Sequence, residues 1–173
     1  RGFVVHAFER AREGHAEVDL VGRLANGETF AAVERRWRPS FAIRSSELAR
    51  ARPVLSELDG LDVVEWDRRT MDGAETLRVE TRSSASSRAA RDALHASGLR
   101  TYEADVKLSS QLLMERGIHG SLEIEGESRP GRRVSRVYQD AELSPAPVSP
   151  EPRLSVLSLD IETDRQARAV FAV

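Results

Sequence analysis

The chain has 173 residues, 40% of them hydrophobic, and a formal net charge of −2. That length suffices for one domain, or one domain plus a fragment, with a core that needs no disulfides. The absence of cysteine excludes a disulfide framework and a thiolate metal site, and it fits a reducing cytoplasm. No run of about 18 apolar residues occurs, so we expect no membrane span.

The first 36 residues predict an antiparallel meander. Residues 2–8, 16–24 and 28–36 show the alternation of apolar and polar side chains that is typical of half-buried strands. Asn26-Gly27 is the pair preferred in type I′ hairpins, where both central positions need positive φ. We therefore expect a tight hairpin at Asn26-Gly27.

The next segment changes pattern and predicts two helices among four strands. Strands are expected at residues 41–43, 61–67, 75–81 and 99–103. One helix is expected after a cap at Ser45 or Ser46, with Pro53 kinking or splitting it. A second is expected from a cap at Ser83 or Ser84 to about residue 96, ending at Gly98.

The resulting β-α-β-β-α-β order, from residue 41 to 103, predicts a ferredoxin-like unit. Many RNA-binding modules share this order and stack bases on sheet aromatics. Here the inner strands offer only Trp66, so a packing scaffold is the favoured interpretation. The fold class is thus α+β with mostly antiparallel sheet.

The C-terminal third contains the best domain boundary. A helix is predicted at residues 107–116, followed by strands at 120–125 and 132–138. Four prolines in residues 144–152 predict an extended linker. We therefore divide the chain into a domain at residues 1–143, a linker at 144–153 and the start of a second domain at 154–173.

Asp160 and Glu162 are the residues most typical of chemistry. In a strand beginning near residue 154, side chains alternate between faces, so these two carboxylates would point the same way. Such a pair can hold Mg²⁺, which prefers oxygen ligands. For an isolated Asp-x-Glu, however, acidic residues where a strand meets solvent are the commoner explanation.

The surrounding motifs resemble family B DNA polymerases. Residues 157–163 (LSLDIET) resemble the first exonuclease motif of that family, and residues 102–106 (YEADV), 113–118 (LMERGI) and 1–3 (RGF) resemble its N-terminal domain. The closest likeness is to bacterial DNA polymerase II and archaeal relatives. The matches lie in order and span most of the chain, although residues 9–100 contribute little beyond element order.

The resemblance implies the N-terminal domain of a DNA polymerase, followed by the first strands of a ribonuclease H-like 3′→5′ exonuclease domain. It assigns Asp160 and Glu162 to the two Mg²⁺ ions of the complete exonuclease; the further aspartates, like the polymerase carboxylates, come from motifs that this chain lacks. Asp164 is assigned no role. The implied partners are template and primer DNA and the remaining polymerase domains, and the implied location is the cytoplasm, with the nucleoid. Some archaeal relatives read uracil in a pocket of this domain, which the sequence does not map.

Further candidates are weaker. Arg129, Arg132, Arg133 and Arg136 form a basic run without an acidic residue and are predicted to contact phosphates; Arg35, Arg36, Arg38 and Arg44 are a second, less favoured group. His6, His15, His95 and His119 have no metal-ligand spacing. Tyr102 is interpreted as core, and Glu103 and Asp105 as strand-end and capping groups.

Two alternatives remain: a stand-alone ferredoxin-like nucleic-acid-binding module, and a two-metal exonuclease without a polymerase domain. The chain begins at Arg1 without methionine and stops at Val173 within a predicted strand, so we expect a fragment that is inactive alone and holds no metal tightly. Residues 153–173 are expected to form a hairpin or to be poorly ordered, and their apolar strand to permit self-association.

Overall fold

The structure, a computed structural model, describes residues 1–147 and 157–172. The strands in this part are β1 (Gly2–Arg12), β2 (His15–Leu24), β3 (Thr29–Glu34), β4 (Ser40–Arg44), β5 (Leu61–Arg69), β6 (Glu75–Thr81), β7 (Ser121–Glu125), β8 (Ser128–Pro130), β9 (Arg136–Gln139), β10 (Glu142–Pro145), β11 (Glu162–Thr163) and β12 (Val170–Ala172). The α-helices are α1 (Leu48–Ser56), α2 (Ser84–Ala96) and α3 (Leu108–Glu115).

The strands form three sheets. The largest has seven strands in the order β10-β7-β1-β2-β3-β9-β8, the second has the order β4-β6-β5, and β11 pairs with β12. Every pairing between the described strands is antiparallel except that of β3 with β9. The predicted mixed α+β class with mostly antiparallel sheet is confirmed.

The predicted meander is confirmed, but its turns differ from the prediction. β1 extends to Arg12 and turns at Glu13-Gly14, both of which have positive φ (51° and 79°). At the second turn only Gly27 has positive φ (88°), and its amide donates to the Leu24 carbonyl at 2.9 Å. The type I′ prediction at Asn26-Gly27 is therefore wrong, because a longer loop needs one left-handed residue rather than two.

The large sheet encloses the first core together with α3. Val18, Leu20 and Phe30 are fully buried and pack with Leu112 of α3 and Leu122 of β7. Burying a side chain of this size stabilises the fold by about 1.5–3 kcal/mol. The first core therefore fixes α3 against β1 and β2.

The smaller sheet has a core of its own, formed with α1 and α2. Phe41, Ile43 and Val79 of the sheet are buried against Leu55 of α1 and Leu94 of α2. β5 and β6 are antiparallel neighbours, as predicted. The predicted fourth strand at 99–103 is wrong: only Tyr102 bridges to Ala42, and Glu103 adopts positive φ (57°), which turns the chain out of extended conformation.

The helix ends confirm one cap and contradict another. Ser83 accepts a hydrogen bond from the Ser86 amide and caps α2, and Gly98 follows that helix with φ of 71°. A 3₁₀ turn (Ser45–Glu47) precedes α1, which has no side-chain cap. α1 also continues through Pro53. The predicted caps at Ser45 or Ser46 are wrong, and of the two effects predicted for Pro53, a kink or a split, the split does not occur.

Two element boundaries in the C-terminal third differ from the prediction. The strand expected at 132–138 begins only at Arg136, because residues 131–135 turn; a Cβ on Gly131 would lie 2.6 Å from the Val134 carbonyl oxygen. β10 extends into the predicted linker as far as Pro145. Proline is tolerated there because β10 is an edge strand.

The described part of the strand predicted to begin at residue 154 does not form a strand. Residues 154–156 lie outside the described residues, and 157–161 are not in a strand. The predicted hairpin within 153–173 is confirmed in the described part, where β11 pairs with β12.

No helix of the described chain is long and apolar enough to cross a membrane.

Candidate nucleic-acid interface

The predicted arginine run lies at one edge of the large sheet. Arg129 is on the edge strand β8, Arg132 and Arg133 are in the turn that follows, and Arg136 begins β9. Arg129, Arg132 and Arg133 are exposed and form no ion pair with any residue that the structure describes. We call these four residues the arginine edge. Its three unpaired cations leave a positive surface that attracts phosphate.

The fourth residue of the arginine edge is paired. The Nε atom of Arg136 lies 3.2 Å from Oε2 of Glu28. The hydrogen bond from Asn26, followed by that from Arg136, holds the pKa of Glu28 below its usual value. Glu28 thus stays ionised and holds Arg136 in place at the start of β9.

Asp160 and Glu162 lie in the last described segment, and both are exposed. Asp160 precedes β11 rather than lying in a strand, and its Oδ1 atom accepts a hydrogen bond from the Ile161 amide at 3.0 Å. Neither residue forms an ion pair with the residues described. Glu162 is the first residue of β11. Both residues were expected in one strand, and only Glu162 lies in one.

Asp164 has a local role that the sequence did not indicate. Its Oδ1 atom accepts hydrogen bonds from the amides of Arg168 at 2.6 Å and Ala169 at 3.2 Å. Aspartate commonly stabilises turns through such bonds to nearby amides. Asp164 therefore shapes the turn between β11 and β12.

No group of three or more histidine, aspartate or glutamate side chains within the described ranges is placed to hold a metal ion. All four histidines are exposed. The carboxylates of Asp160 and Glu162 fit the oxygen donors that Mg²⁺ prefers, but two such ligands do not complete a site. Residues beyond those described here would have to supply the rest.

The second arginine group is held by carboxylates. Ion pairs join Arg35 to Asp140 (3.3 Å), Arg36 to Glu34 (3.3 Å), Arg38 to Asp62 (2.5 Å) and Arg44 to Asp72 (2.6 Å). The hydrogen bond to Glu34 raises the pKa of Arg36, and the hydrogen bond to the Tyr102 hydroxyl raises the pKa of Arg44. These arginines are therefore fixed in position by the fold.

Tyr102 and its neighbours differ from the sequence interpretation. Tyr102 is half-buried, its hydroxyl accepts from Arg44 Nε at 2.8 Å, and the guanidinium groups of Arg44 and Arg100 lie over its ring. Glu103 and Asp105 are exposed, and α3 has no side-chain cap. The interpretation of Tyr102 as core and of Asp105 as a cap is wrong.

Trp66 belongs to a stack of alternating arginine and tryptophan side chains, which we call the Arg–Trp ladder. Its members, in order, are Arg68, Trp66, Arg78, Trp37 and Arg116, and successive guanidinium carbons and ring centroids lie 5.1–5.6 Å apart. The ladder runs from β5 and β6 of the small sheet to the end of α3. Arginines already lie over both indoles, which supports the interpretation of Trp66 as scaffold.

A cleft of about 350 Å³ lies between the N-terminal ends of α2 and α3. Gln111 lines it and is 5% exposed. Its Nε2 atom donates to the Ser40 carbonyl at 2.8 Å, and its buried Oε1 atom has no hydrogen-bond partner among the described residues. Sequence reasoning missed this residue, because a glutamine inside a helix gives no signal of burial.

The fold is sheet-dominated α+β, and one comparison connects it with a known class. The structure is similar to that of the family B DNA polymerase from the hyperthermophilic archaeon Pyrobaculum calidifontis, with a TM-score of 0.73 and 26% sequence identity. The match covers 94% of this chain and 22% of that polymerase. No protein-family model matches the chain, and no curated protein matches it. This neighbour is archaeal and does not support the bacterial DNA polymerase II subtype predicted from the sequence.

Proposed function

We propose that the chain is the N-terminal region of a family B DNA polymerase and includes the first residues of its 3′→5′ exonuclease domain. The structural match over 94% of the chain carries this proposal. The LSLDIET motif and the other resembling segments support it independently. The parent is then a DNA-directed DNA polymerase whose location is the cytoplasm, at the nucleoid.

Two finer assignments belong to the proposal. The region of residues 41–103 is a ferredoxin-like unit, which the strand order β4-β6-β5 and the antiparallel bridge at Tyr102 support. The bacterial DNA polymerase II subtype rests on sequence resemblance alone. A comparison of the parent's full sequence with both groups would decide between an archaeal and a bacterial type.

Asp160 and Glu162 are assigned to the exonuclease. Both carboxylates are exposed and form no ion pair within the described part of the chain, which leaves them available as metal ligands. Mg²⁺ bound there would stabilise the attacking and leaving oxygens in phosphodiester hydrolysis. The chain's own contribution is to present two carboxylates beside β11, with the Asp164 turn holding the hairpin that follows.

The arginine edge is assigned to DNA phosphates near the incoming template strand. Each phosphate contact on a single strand contributes about 0.7 to the slope of log K against log salt concentration. Arg132→Gln combined with Arg133→Gln should therefore lower the slope by about 1.4 for a single-stranded oligonucleotide. An unchanged slope would remove both residues from the interface.

The chain alone should neither extend nor degrade DNA. Two carboxylates bind hydrated Mg²⁺ only weakly, and two-metal hydrolysis needs both ions fixed. Incubating the chain with Mg²⁺ or Mn²⁺ and a labelled single strand should release no nucleotides, whereas the parent should trim and extend a primer. Nucleotide release by the chain alone would contradict the proposal.

The gene downstream of Val173 separates the remaining alternatives. Further exonuclease aspartates followed by polymerase carboxylates support the proposal. Exonuclease aspartates without a polymerase domain indicate a two-metal exonuclease. A reading frame that ends nearby indicates a stand-alone nucleic-acid-binding module.

A further inference from the structure

A basic pocket lies beside the end of β3 and the start of β2. Its volume is about 380 Å³. The cationic or titratable basic side chains of its lining are His15, Arg35, Arg36, Arg38 and Arg82. Asp62 is the carboxylate among the described residues of that lining, and Asp140, Glu34 and Glu80 pair with its arginines from outside the lining. Such a concentration of guanidinium groups attracts phosphate.

Three of the arginines are paired with carboxylates. Glu34, which is 1% exposed, bonds Arg36, whose side chain is 63% exposed. The partly exposed Asp140 pairs with Arg35, and Asp62, which itself lines the pocket, pairs with Arg38. Each acid restrains a guanidinium group that still has exposed donors. The restraint lowers the entropy lost when a ligand binds.

Arg82 is different because it has no carboxylate partner among the residues described. It lies against Gly60, where a Cβ atom would come within 2.5 Å of its Nε atom. Arg38 also donates to the Gly60 carbonyl, at 3.3 Å. Gly60 therefore allows two guanidinium groups to approach the same loop, and one of them is unpaired.

The pocket suits a phosphate better than a base. Trp37 is the aromatic residue of the lining, and the guanidinium groups of Arg78 and Arg116 already lie over its ring. A base would have to displace one of them in order to stack. A phosphate needs only the arginine donors, which match its oxygens in a planar fork.

The pocket and the arginine edge lie at opposite ends of β9. Arg136 begins that strand, and Asp140, the partner of Arg35, follows its last residue. Four residues of strand span roughly 13 Å. A single strand of DNA is long enough to reach both.

We propose that this pocket binds a backbone phosphate of single-stranded DNA and forms a second anchor for the strand bound by the arginine edge. The inference rests on the proposed function, because it assumes the single-stranded DNA that the proposed function assigns to the arginine edge. It adds a subsite made of Arg35, Arg36, Arg38 and Arg82, with Arg82 as its unpaired cation.

The test measures binding of a fluorescein-labelled oligothymidylate to the full chain by anisotropy, at several salt concentrations. Arg82→Gln should lower the salt slope by about 0.7, and Arg82→Gln with Arg35→Gln by about 1.4. If a phosphate contact contributes nothing to affinity at 1 M salt, a slope of 0.7 makes it worth a factor of about five at 0.1 M salt. Each lost contact should therefore weaken binding at 0.1 M salt by about fivefold. Arg52→Gln is the matched control, since Arg52 is exposed on α1 and has no ion pair with the described residues; it should change neither quantity.

The outcomes separate this inference from the proposed function. If the wild-type chain binds and the Arg132/Arg133 variant is weakened while the Arg82/Arg35 variant is not, the pocket is not a DNA subsite and the arginine edge stands. If the wild-type chain does not bind, both fail. The pocket could instead bind free inorganic phosphate, and an NMR titration of the Arg82 Nε–H signal distinguishes the two ligands. If the signal shifts with inorganic phosphate and does not shift with the oligonucleotide, the pocket is a free-anion site and the proposal is overturned.

Discussion

Arg78 is the residue on which the Arg–Trp ladder depends. Its side chain is 12% exposed, it pairs with Glu115 at 2.9 Å and Glu80 at 3.4 Å, and its guanidinium carbon lies 5.5 Å from the ring centroids of Trp37 and Trp66. Each partly desolvated cation–π contact is worth about 0.5–2 kcal/mol. Breaking a buried ion pair by removing one partner costs about 3–5 kcal/mol.

These contributions overlap, so they do not add. We expect Arg78→Ala to lower the free energy of unfolding by about 3–5 kcal/mol. Arg78→Lys should cost less, about 1–2 kcal/mol, because it keeps the charge and loses the planar fork. Urea denaturation measures both, and the fluorescence of the chain's two tryptophans, Trp37 and Trp66, reports on the ladder itself.

Arg69→Ala is the matched control. Arg69 pairs with Glu75 at 3.0 Å, but the two side chains are 61% and 71% exposed. Such surface pairs contribute about 0–1 kcal/mol. If Arg78→Ala destabilises the protein no more than Arg69→Ala does, the ladder does not hold α3 against the small sheet, and the reasoning is refuted.

Three further predictions concern single positions. The pKa of Glu28 is lowered in the folded state from its ordinary 4.5, so its contribution to stability is full above that value and is lost as pH falls through the folded pKa. The difference in unfolding free energy between the wild type and Glu28→Gln should therefore shrink between about pH 6 and pH 3. A difference that stays constant with pH would contradict this prediction. Gly22→Ala should lower the free energy of unfolding by about 3 kcal/mol or more in urea denaturation, since its Cβ would lie 1.9 Å from the Phe3 carbonyl oxygen. Gly27→Ala should lower it by only about 1 kcal/mol, because a Cβ there meets open space and only the positive φ opposes it. Equal losses for the two variants would contradict this reasoning. Ser83→Ala should lower the melting temperature through a loss of about 1 kcal/mol at the cap of α2, and an unchanged value would argue against the cap.

Local patterns predicted most elements of the fold, and burial follows the sequence periodicity most closely along β3 and α2. Along β2 the apolar Val18 and Leu20 alternate with Glu17 and Asp19, which are buried as well and are paired with arginines. Ser83 is followed by a helical stripe that ends at Gly98. The elements that failed depend on distant partners. β9 begins at Arg136 because Ser135 exchanges hydrogen bonds with Thr29, more than a hundred residues away.

The candidate sites divide in the same way. The arginine edge was predictable, because a run of like charges without acids has few ways to be neutralised locally. The pairing of Arg35 and Arg38 was not, because Asp140 and Asp62 reach them through tertiary structure. Gln111 was also invisible to the sequence, since its burial follows from the packing of α3 against the large sheet.

The most direct test of the account is a proofreading assay on the full-length parent enzyme. Asp160→Ala combined with Glu162→Ala should reduce 3′→5′ excision of a mismatched primer end to background, while primer extension continues, because the polymerase carboxylates belong to another domain. Asp164→Asn is the control from the same segment, since asparagine can still accept the amides of the turn, and it should retain excision. If the double variant trims the mismatched end at the parent's rate, Asp160 and Glu162 are not exonuclease ligands and the central claim fails.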